Sequence, residues 1–285
     1  MNINELKAKI REAILLVRER KPLAPSITNT VTINLVANAQ LACGGSAAMV
    51  YLPDEGELVS ELANSVYINS GTLFPVYEET LPRTAKKLFE NKKNWVLDPV
   101  AIGIGELRTK LLLGFKENPP AIVRANASEV IALTKLWGLD IGSTTGGPVG
   151  VDSVDSVESA KKAALSLASF INQKRGGQGA CVCVSGKTDL ITDGKTVVYS
   201  YGGSLFMEKI TGAGCSLGGV CAVYACVTDP FTAGLTATQI YNLAASKAEK
   251  LCKGPASFER EFIDQLYLAT AEQVADNPFK IEDDE

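Results

Sequence analysis

The 285-residue chain contains no histidine. That absence removes Ser-His-Asp and Cys-His nucleophilic sites, histidine-ligated zinc and any imidazole general base. Proton transfer must then fall to a carboxylate, lysine, tyrosine or thiol. Excess charge is missing too: 28 Lys and Arg stand against 32 Asp and Glu, without long like-charged blocks. No positive field exists to hold a nucleic-acid backbone, so no nucleic-acid partner is expected. Long hydrophobic runs are also absent. The most apolar stretch, Val31 to Val50, is interrupted by Asn34, Asn38 and Gln40, so no membrane span is expected. Glu5, Glu12 and Glu19 among the basic N-terminal residues fit neither an apolar signal segment nor an acid-poor transit peptide, and a cytoplasmic location is expected. The seven cysteines are odd in number and follow no regular spacing, which predicts reduced core residues rather than a disulfide framework.

What is present is apolar residues, 46% of the chain, enough for one large core. We therefore expect a single domain over 1–285 with a solvated acidic tail at about 280–285, ending Glu282-Asp283-Asp284-Glu285. Asn2 and Glu5 form a capping-box pattern ahead of Leu6, Ile10, Ala13, Ile14 and Val17 at helical spacing, up to Pro22. Short apolar runs follow: Ala47 to Tyr51, Ser65 to Ile68, Trp95 to Leu97, Ala121 to Val123 and Ala180 to Val184. Helical patterns separate them, around Val31 to Cys43, Asp54 to Ala63, Tyr77 to Asn91, Leu107 to Glu117, Glu129 to Leu136 and Val154 to Lys174. Strands separated by helices must cross over, which predicts an α/β fold with a mainly parallel sheet covered on both faces. Thr192-Asp193-Gly194-Lys195, between Thr188 to Ile191 and Thr196 to Ser200, predicts a late antiparallel hairpin. From Cys215 onward the pattern reads as nearly all helical, and Gly142 to Gly150 as a loop.

Ligands of open parallel sheets gather beyond the carboxyl ends of the strands. The segments there are Asn69-Ser70-Gly71-Thr72, Asp98-Pro99-Val100, Arg124 through Glu129, and Ser185-Gly186. They bring carboxylates, an arginine and small hydroxyls to one rim, although strand ends also meet polar turns and caps for purely structural reasons. Thr211 to Gly218, read TGAGCSLG, opens a late helix whose first-turn amides suit an anion. A thiol there, Cys215, should have a lowered pKa and accept a proton. The same glycines would equally suit a close helix contact beside a buried cysteine. Gly186-Lys187-Thr188 is no P-loop, since the required first glycine falls on Cys181. Gly212-x-Gly214 lacks the context of a dinucleotide fingerprint. Cys181 and Cys183 alternate with Val182 and Val184 as core strand residues do.

Taken in order, these segments resemble the hydroxyethylthiazole kinase family of the ribokinase-like superfamily. The matches are Ile27-Thr28-Asn29, Ala37-Asn38-Ala39 through Gly44 to Met49, Ile68-Asn69-x-Gly71-Thr72-Leu73 and Leu97-Asp98-Pro99-Val100. They continue through Asn126-Ala127-Ser128-Glu129, Gly150-Val151-Asp152-Ser153, Gly212-x-Gly214-Cys215 and Gly254-Pro255-x-Ser257-Phe258. The resemblance implies a three-layer sandwich, transfer of the ATP γ-phosphate to the alcohol of 4-methyl-5-(2-hydroxyethyl)thiazole with Mg²⁺, and a homotrimer with sites at subunit boundaries. It implies that Met49, Asn29 and Gly212 shape the thiazole pocket, that Arg124, Ser185 and Asn126 meet the nucleotide, and that Asp98 and Glu129 organise the metal. Gly212, Ala213 and Gly214 would form the loop presenting Cys215, which stands where most ribokinase-like kinases carry an aspartate base. The chain departs from the family pattern at Pro25-Ser26 (usually His-Asn), at Ala125 (usually Gly) and at Ala213 (usually Thr). Pro25 is expected near the thiazole pocket, and each alanine is expected to add a methyl group near phosphate. Two further readings compete: a kinase of another small alcohol, and a nucleotide-binding protein without turnover.

Overall fold

Asn2 and Glu5 make the reciprocal capping bonds that the sequence predicts and start α1 (Ile3–Arg20), whose buried face is Leu6, Ile10, Ala13, Ile14 and Val17. The structure, a computed structural model, describes residues 2–141 and 154–282. Alternation follows: β1 (Leu23–Ile27), α2 (Ile33–Ala42), β2 (Ser46–Met49), α3 (Pro53–Leu62), β3 (Ser65–Asn69), α4 (Tyr77–Glu90), β4 (Asn94–Asp98), α5 (Glu106–Gly114), β5 (Ile122–Asn126), α6 (Ala127–Leu136), α7 (Val154–Lys174) and β6 (Cys181–Ser185). A hairpin of β7 (Asp189–Thr192) and β8 (Val197–Ser200) precedes α8 (Ala213–Ala225), α9 (Pro230–Leu251), α10 (Pro255–Leu268), α11 (Ala271–Ala275) and β9 (Phe279–Ile281).

The strands form one sheet in the order β2-β1-β3-β4-β5-β6-β7-β8-β9. Pairing is parallel from β2 through β6 and antiparallel from β6 to β9. Two apolar clusters lie on opposite faces. Tyr67, Val96, Ile122, Cys181 and Cys183 join the cluster that also contains α1, α2, α8 and α9 residues. Val66, Ile68, Leu97, Val123 and Val182 join the one that contains α4, α6 and α7 residues. Strand side chains alternate between faces, so each buried strand serves both layers. The result is the three-layer α/β sandwich with a late antiparallel edge.

Three expectations need correction. β1 does not appear among the apolar runs, because Pro22 and Pro25 argue against a strand with neighbours on both sides. The structure accommodates Pro25 by pairing β1 with β2 from Leu23 to Ser26 but with β3 only at Ser26 and Ile27. The region from Cys215 onward is nearly all helical as expected, through α8 to α11, but it also holds one unforeseen strand, β9, which closes the sheet beside β8. The acidic tail is not solvated from residue 280. Glu282 accepts hydrogen bonds from Lys161 Nζ at 2.9 Å and Tyr199 OH at 3.1 Å. Residues 283–285, the loop expected at Gly142 to Gly150 and the match at Gly150 to Ser153 lie outside the described residues.

Candidate active site

Period-two alternation explains why polar residues meet at one rim. Tyr67, Val96, Ile122 and Cys183 all face the layer that holds α8. Two residues later on the same strands come Asn69, Asp98, Arg124 and Ser185, which share that face. Since β3, β4, β5 and β6 run parallel, their carboxyl ends form one row beneath the start of α8.

Asp98 is fully buried. Its Oδ2 accepts from Tyr67 OH at 3.0 Å, Asn69 Nδ2 at 3.2 Å and Arg124 Nη1 at 3.5 Å. Its Oδ1 is buried without a partner among the described residues. Burial pushes the Asp98 carboxyl up, while Arg124, Tyr67 and Asn69 pull it down. Arg124 is itself mostly buried and donates from Nη2 to Ser185 Oγ at 2.8 Å. Burial opposes its charge, but Asp98 and the neighbouring acidic groups outweigh that and hold the guanidinium more firmly protonated.

α8 begins above this pair. Gly212 has φ 93°, in the left-handed region that favours glycine, and caps the helix. The first helical bond runs from Ser216 N to Gly212 O at 2.8 Å, leaving the amides of Ala213, Gly214 and Cys215 without a partner within the helix. A Cβ on Gly214 would overlap the Arg124 guanidinium, and one on Gly212 would sit 2.7 Å from Thr32 Cβ. The two glycines thus set α8 directly against Arg124 and the Asn29–Thr32 turn. Cys215 is half-buried, and Asn29 Nδ2 donates to its Sγ at 3.6 Å.

The expected lowering of the Cys215 pKa does not occur. Burial raises it, the Asp98 charge raises it further, and Thr32, Arg124 and Asn69 only partly compensate. Desolvation outweighs the helix dipole here. Cys215 is accordingly a thiol at neutral pH. Alkylation by iodoacetamide, followed by peptide mass mapping, should be slow at Cys215 at neutral pH and still climbing beyond the ordinary thiol value of about 8.5. A plateau at neutral pH would contradict the burial argument.

Met49 ends β2 opposite Ser26, three residues before Asn29. Asn126 caps α6, its Oδ1 accepting from Glu129 N at 2.9 Å, and Glu129 Oε2 accepts from Asn126 N at 3.0 Å. Glu129 is half-buried, and burial, then Asp98, raises its pKa against the Asn126 amide, Arg124 and the Ala101 amide. Ala125 corrects the expectation attached to it: its methyl lies in the opposite apolar cluster, away from the α8 face. Pro25 lies buried within β1, and Ser26 beside it donates to Gln40 Oε1 at 3.3 Å on the α2 side.

Tyr67 and Asn69 carry much of the site's hydrogen bonding, though Tyr67 was not singled out by sequence and Asn69 figured only within its rim segment and motif. The signal was their spacing, since i and i+2 on a strand share a face. A Cβ on Gly218 of α8 would overlap the Tyr67 ring. Gly218→Ala should therefore displace that ring from Asp98, costing about 1–3 kcal/mol of stability by overpacking and lowering turnover. Thermal melts together with a rate measurement check this, and an unchanged rate would show the Tyr67–Asp98 contact to be dispensable.

A family model described as "Hydroxyethylthiazole kinase family" matches residues 14–272. A hydroxyethylthiazole kinase of Bifidobacterium adolescentis is 52% identical over 276 residues, covering 96% of this chain and 94% of that protein. One from Bifidobacterium longum subsp. infantis is 50% identical, covering 97% and 92%. The solved hydroxyethylthiazole kinase protein from Pyrococcus horikoshii superposes with a TM-score of 0.83 at 31% identity over 97% of this chain and 99% of that one. A Staphylococcus aureus pyridoxal kinase in complex with ADP shares the fold, with a TM-score of 0.54 at 18% identity over 79% of this chain and 88% of that one. With the family model spanning most of the chain and these relatives aligned nearly end to end, this chain belongs to the hydroxyethylthiazole kinase family.

Proposed function

We propose that the chain transfers the γ-phosphoryl group of ATP to the primary hydroxyl of 4-methyl-5-(2-hydroxyethyl)thiazole, a salvage step towards thiamine, working as one domain. One observation carries the reading: the free amides of α8, the Arg124 guanidinium and the Cys215 thiol converge at one rim. Phosphoryl transfer demands mainly positioning and neutralisation of charge on the phosphate oxygens. The amides of Ala213, Gly214 and Cys215 offer donors, Arg124 offers a fixed positive charge, and Cys215 receives the alcohol proton late in the step. A thiol that keeps its own proton cannot accept a second one, so Cys215 acts through its small thiolate fraction, which takes the alcohol proton as the bond to phosphorus forms. Its contribution is therefore modest beside that of Arg124.

In this reading Arg124, Ser185 and Asn126 bind the nucleotide, and Met49, Asn29 and Gly212 line the thiazole pocket. Asp98 Oδ1, without a partner among the described residues, and the half-buried Glu129 suit Mg²⁺, which takes one or two carboxylates and completes its shell with water and phosphate oxygen. Among the described residues no group of three or more His, Cys, Asp or Glu side chains could hold a metal ion. When bound, Mg²⁺ supplies neutralisation of the β- and γ-phosphates.

The same reading includes a homotrimer with the thiazole pocket at a subunit boundary, as the family resemblance implies. Among the described residues no helix is long and apolar enough to cross a membrane; a cytoplasmic setting is part of the proposal. The test is ADP release with ATP, Mg²⁺ and the thiazole alcohol. Release with the thiazole alcohol is expected. Release only with another alcohol, or nucleotide binding without release, would overturn the assignment.

A further inference from the structure

Asn69 is almost completely buried at the carboxyl end of β3, and all of its hydrogen-bonding capacity is engaged. Its Oδ1 accepts from Gly71 N at 2.9 Å and from Asn29 Nδ2 at 2.9 Å. Its Nδ2 donates to Tyr67 OH at 2.9 Å and to Asp98 Oδ2 at 3.2 Å. A primary amide has two N–H donors and an oxygen with two lone pairs, so this one is saturated.

Its orientation is dictated from both ends. The Gly71 amide only donates, so the oxygen must face it. Asp98 Oδ2 already accepts from the Tyr67 hydroxyl and from Arg124, so the nitrogen must face the acid. Asn29 is oriented in turn. Its Oδ1 accepts from Thr32 N at 3.1 Å, which leaves Nδ2 to donate both to Asn69 and to Cys215 Sγ. Two amides therefore link the buried Asp98–Arg124 pair to the sulfur.

The surrounding backbone is tightened around that link. A Cβ on Gly71 would sit 2.8 Å from Asn29 Cβ and from Asn69 Oδ1. From outside, Arg108 grips the same turn, donating from Nε to Ser70 O at 2.9 Å and from Nη2 to Gly71 O. Packing alone requires none of this, since Val66 and Ile68 fill the other face of β3 with hydrocarbon. A buried amide tolerates such a place only when its bonds are made, and once made they fix a single arrangement.

We infer that Asn69 is a positioning residue for the phosphoryl transfer proposed above. It holds Asn29 on Cys215 and Asp98 towards Arg124, so that the acceptor side and the phosphate side share one frame. The inference rests on that functional reading. Misplacing a reacting group by about 1 Å costs on the order of 10²-fold, which sets the size of effect expected at a residue that touches no reactant.

The test is steady-state kinetics on the full chain for Asn69→Ala, Asn69→Leu, Asn29→Ala and the double Asn69→Ala/Asn29→Ala variant. Asn69→Leu fills nearly the same volume without the bonds. Both Asn69 variants should lose kcat by roughly 10- to 100-fold while the ATP KM stays within about twofold, because Arg124 and the α8 amides remain. The double variant should fall within about threefold of Asn69→Ala, since residues in one network do not act additively. Full activity in Asn69→Leu, or losses that multiply in the double variant, would overturn the inference. Should Asn69→Leu fail to melt cooperatively, Asn69→Ser replaces it, with the same kcat loss expected and unchanged kcat counting against the proposal. The parent protein is assayed alongside. A parent that transfers phosphate to no alcohol overturns the proposed function as well, whereas an active parent with indifferent Asn69 variants overturns this inference alone.

Discussion

Arg124→Met should reduce turnover by about 10³-fold or more, the low end of what an arginine at a transferring phosphoryl group provides. Arg124 lies under Gly214 at the start of α8, bonded to Ser185 and paired with Asp98. Methionine preserves most of its length and apolar stem, so the lost quantity is the charge with its directed N–H groups. The change also strands Asp98, which is fully buried. Breaking one side of a buried pair typically costs about 3–5 kcal/mol because an uncompensated charge remains. A second substitution separates the two effects. Asp98→Asn in the Arg124→Met background should recover much of the melting temperature while turnover stays low. Turnover within about tenfold of the parent would remove Arg124 from the chemistry, whatever the melt showed.

Cys215→Ser should lower kcat while leaving the ATP KM nearly unchanged. A positioned base contributes about 10²- to 10⁴-fold, and Cys215 belongs at the lower end because burial holds its pKa above the usual thiol range. Serine keeps the shape and can still accept from Asn29, but its hydroxyl is a poorer proton acceptor than a thiolate. Nucleotide affinity should persist, because the backbone amides of Ala213 and Gly214 do not depend on the side chain at 215. Rapid-quench measurement of the transfer step would distinguish slowed chemistry from slowed release. An unchanged rate constant for transfer would leave the thiol only a packing role.

Much of the fold was legible because hydrophobic spacing survives burial on both faces. The strand runs at Ser65, Trp95 and Ala180 fall within one or two residues of the observed starts, and α7 matches its expected bounds. Illegible elements failed for identifiable reasons. Pro22 and Pro25 hid β1, whose pairing tolerates them because its ladder to β3 starts only at Ser26. β9 has three residues beside an acidic ending, and its pairing with β8 depends on a partner some eighty residues earlier in the chain.

At the site, the residue types were readable while their environments were not. Asp98, Arg124 and Ser185 follow apolar runs at the ends of neighbouring strands, so a shared rim could be anticipated. Whether a thiol in the first turn of α8 gains or loses acidity depends on how much water it keeps and how close Asp98 lies. Neither quantity is written in the local sequence. Ala125 illustrates the same limit: its neighbour Arg124 faces α8, so Ala125 must face the opposite layer, a consequence of alternation that the motif alone conceals. Asn69 was visible as part of a motif, but its saturated bonding emerges only when β1, β3 and β4 are brought side by side.

The most direct measurement is a crystal structure with the thiazole alcohol and a non-hydrolysable ATP analogue bound together. The account predicts the terminal phosphate against the Ala213–Cys215 amides and Arg124, with the alcohol oxygen within about 3.5 Å of the phosphorus it would attack and beside Cys215 Sγ. A terminal phosphate held elsewhere, or an alcohol on the far side of the sheet from α8, would contradict it.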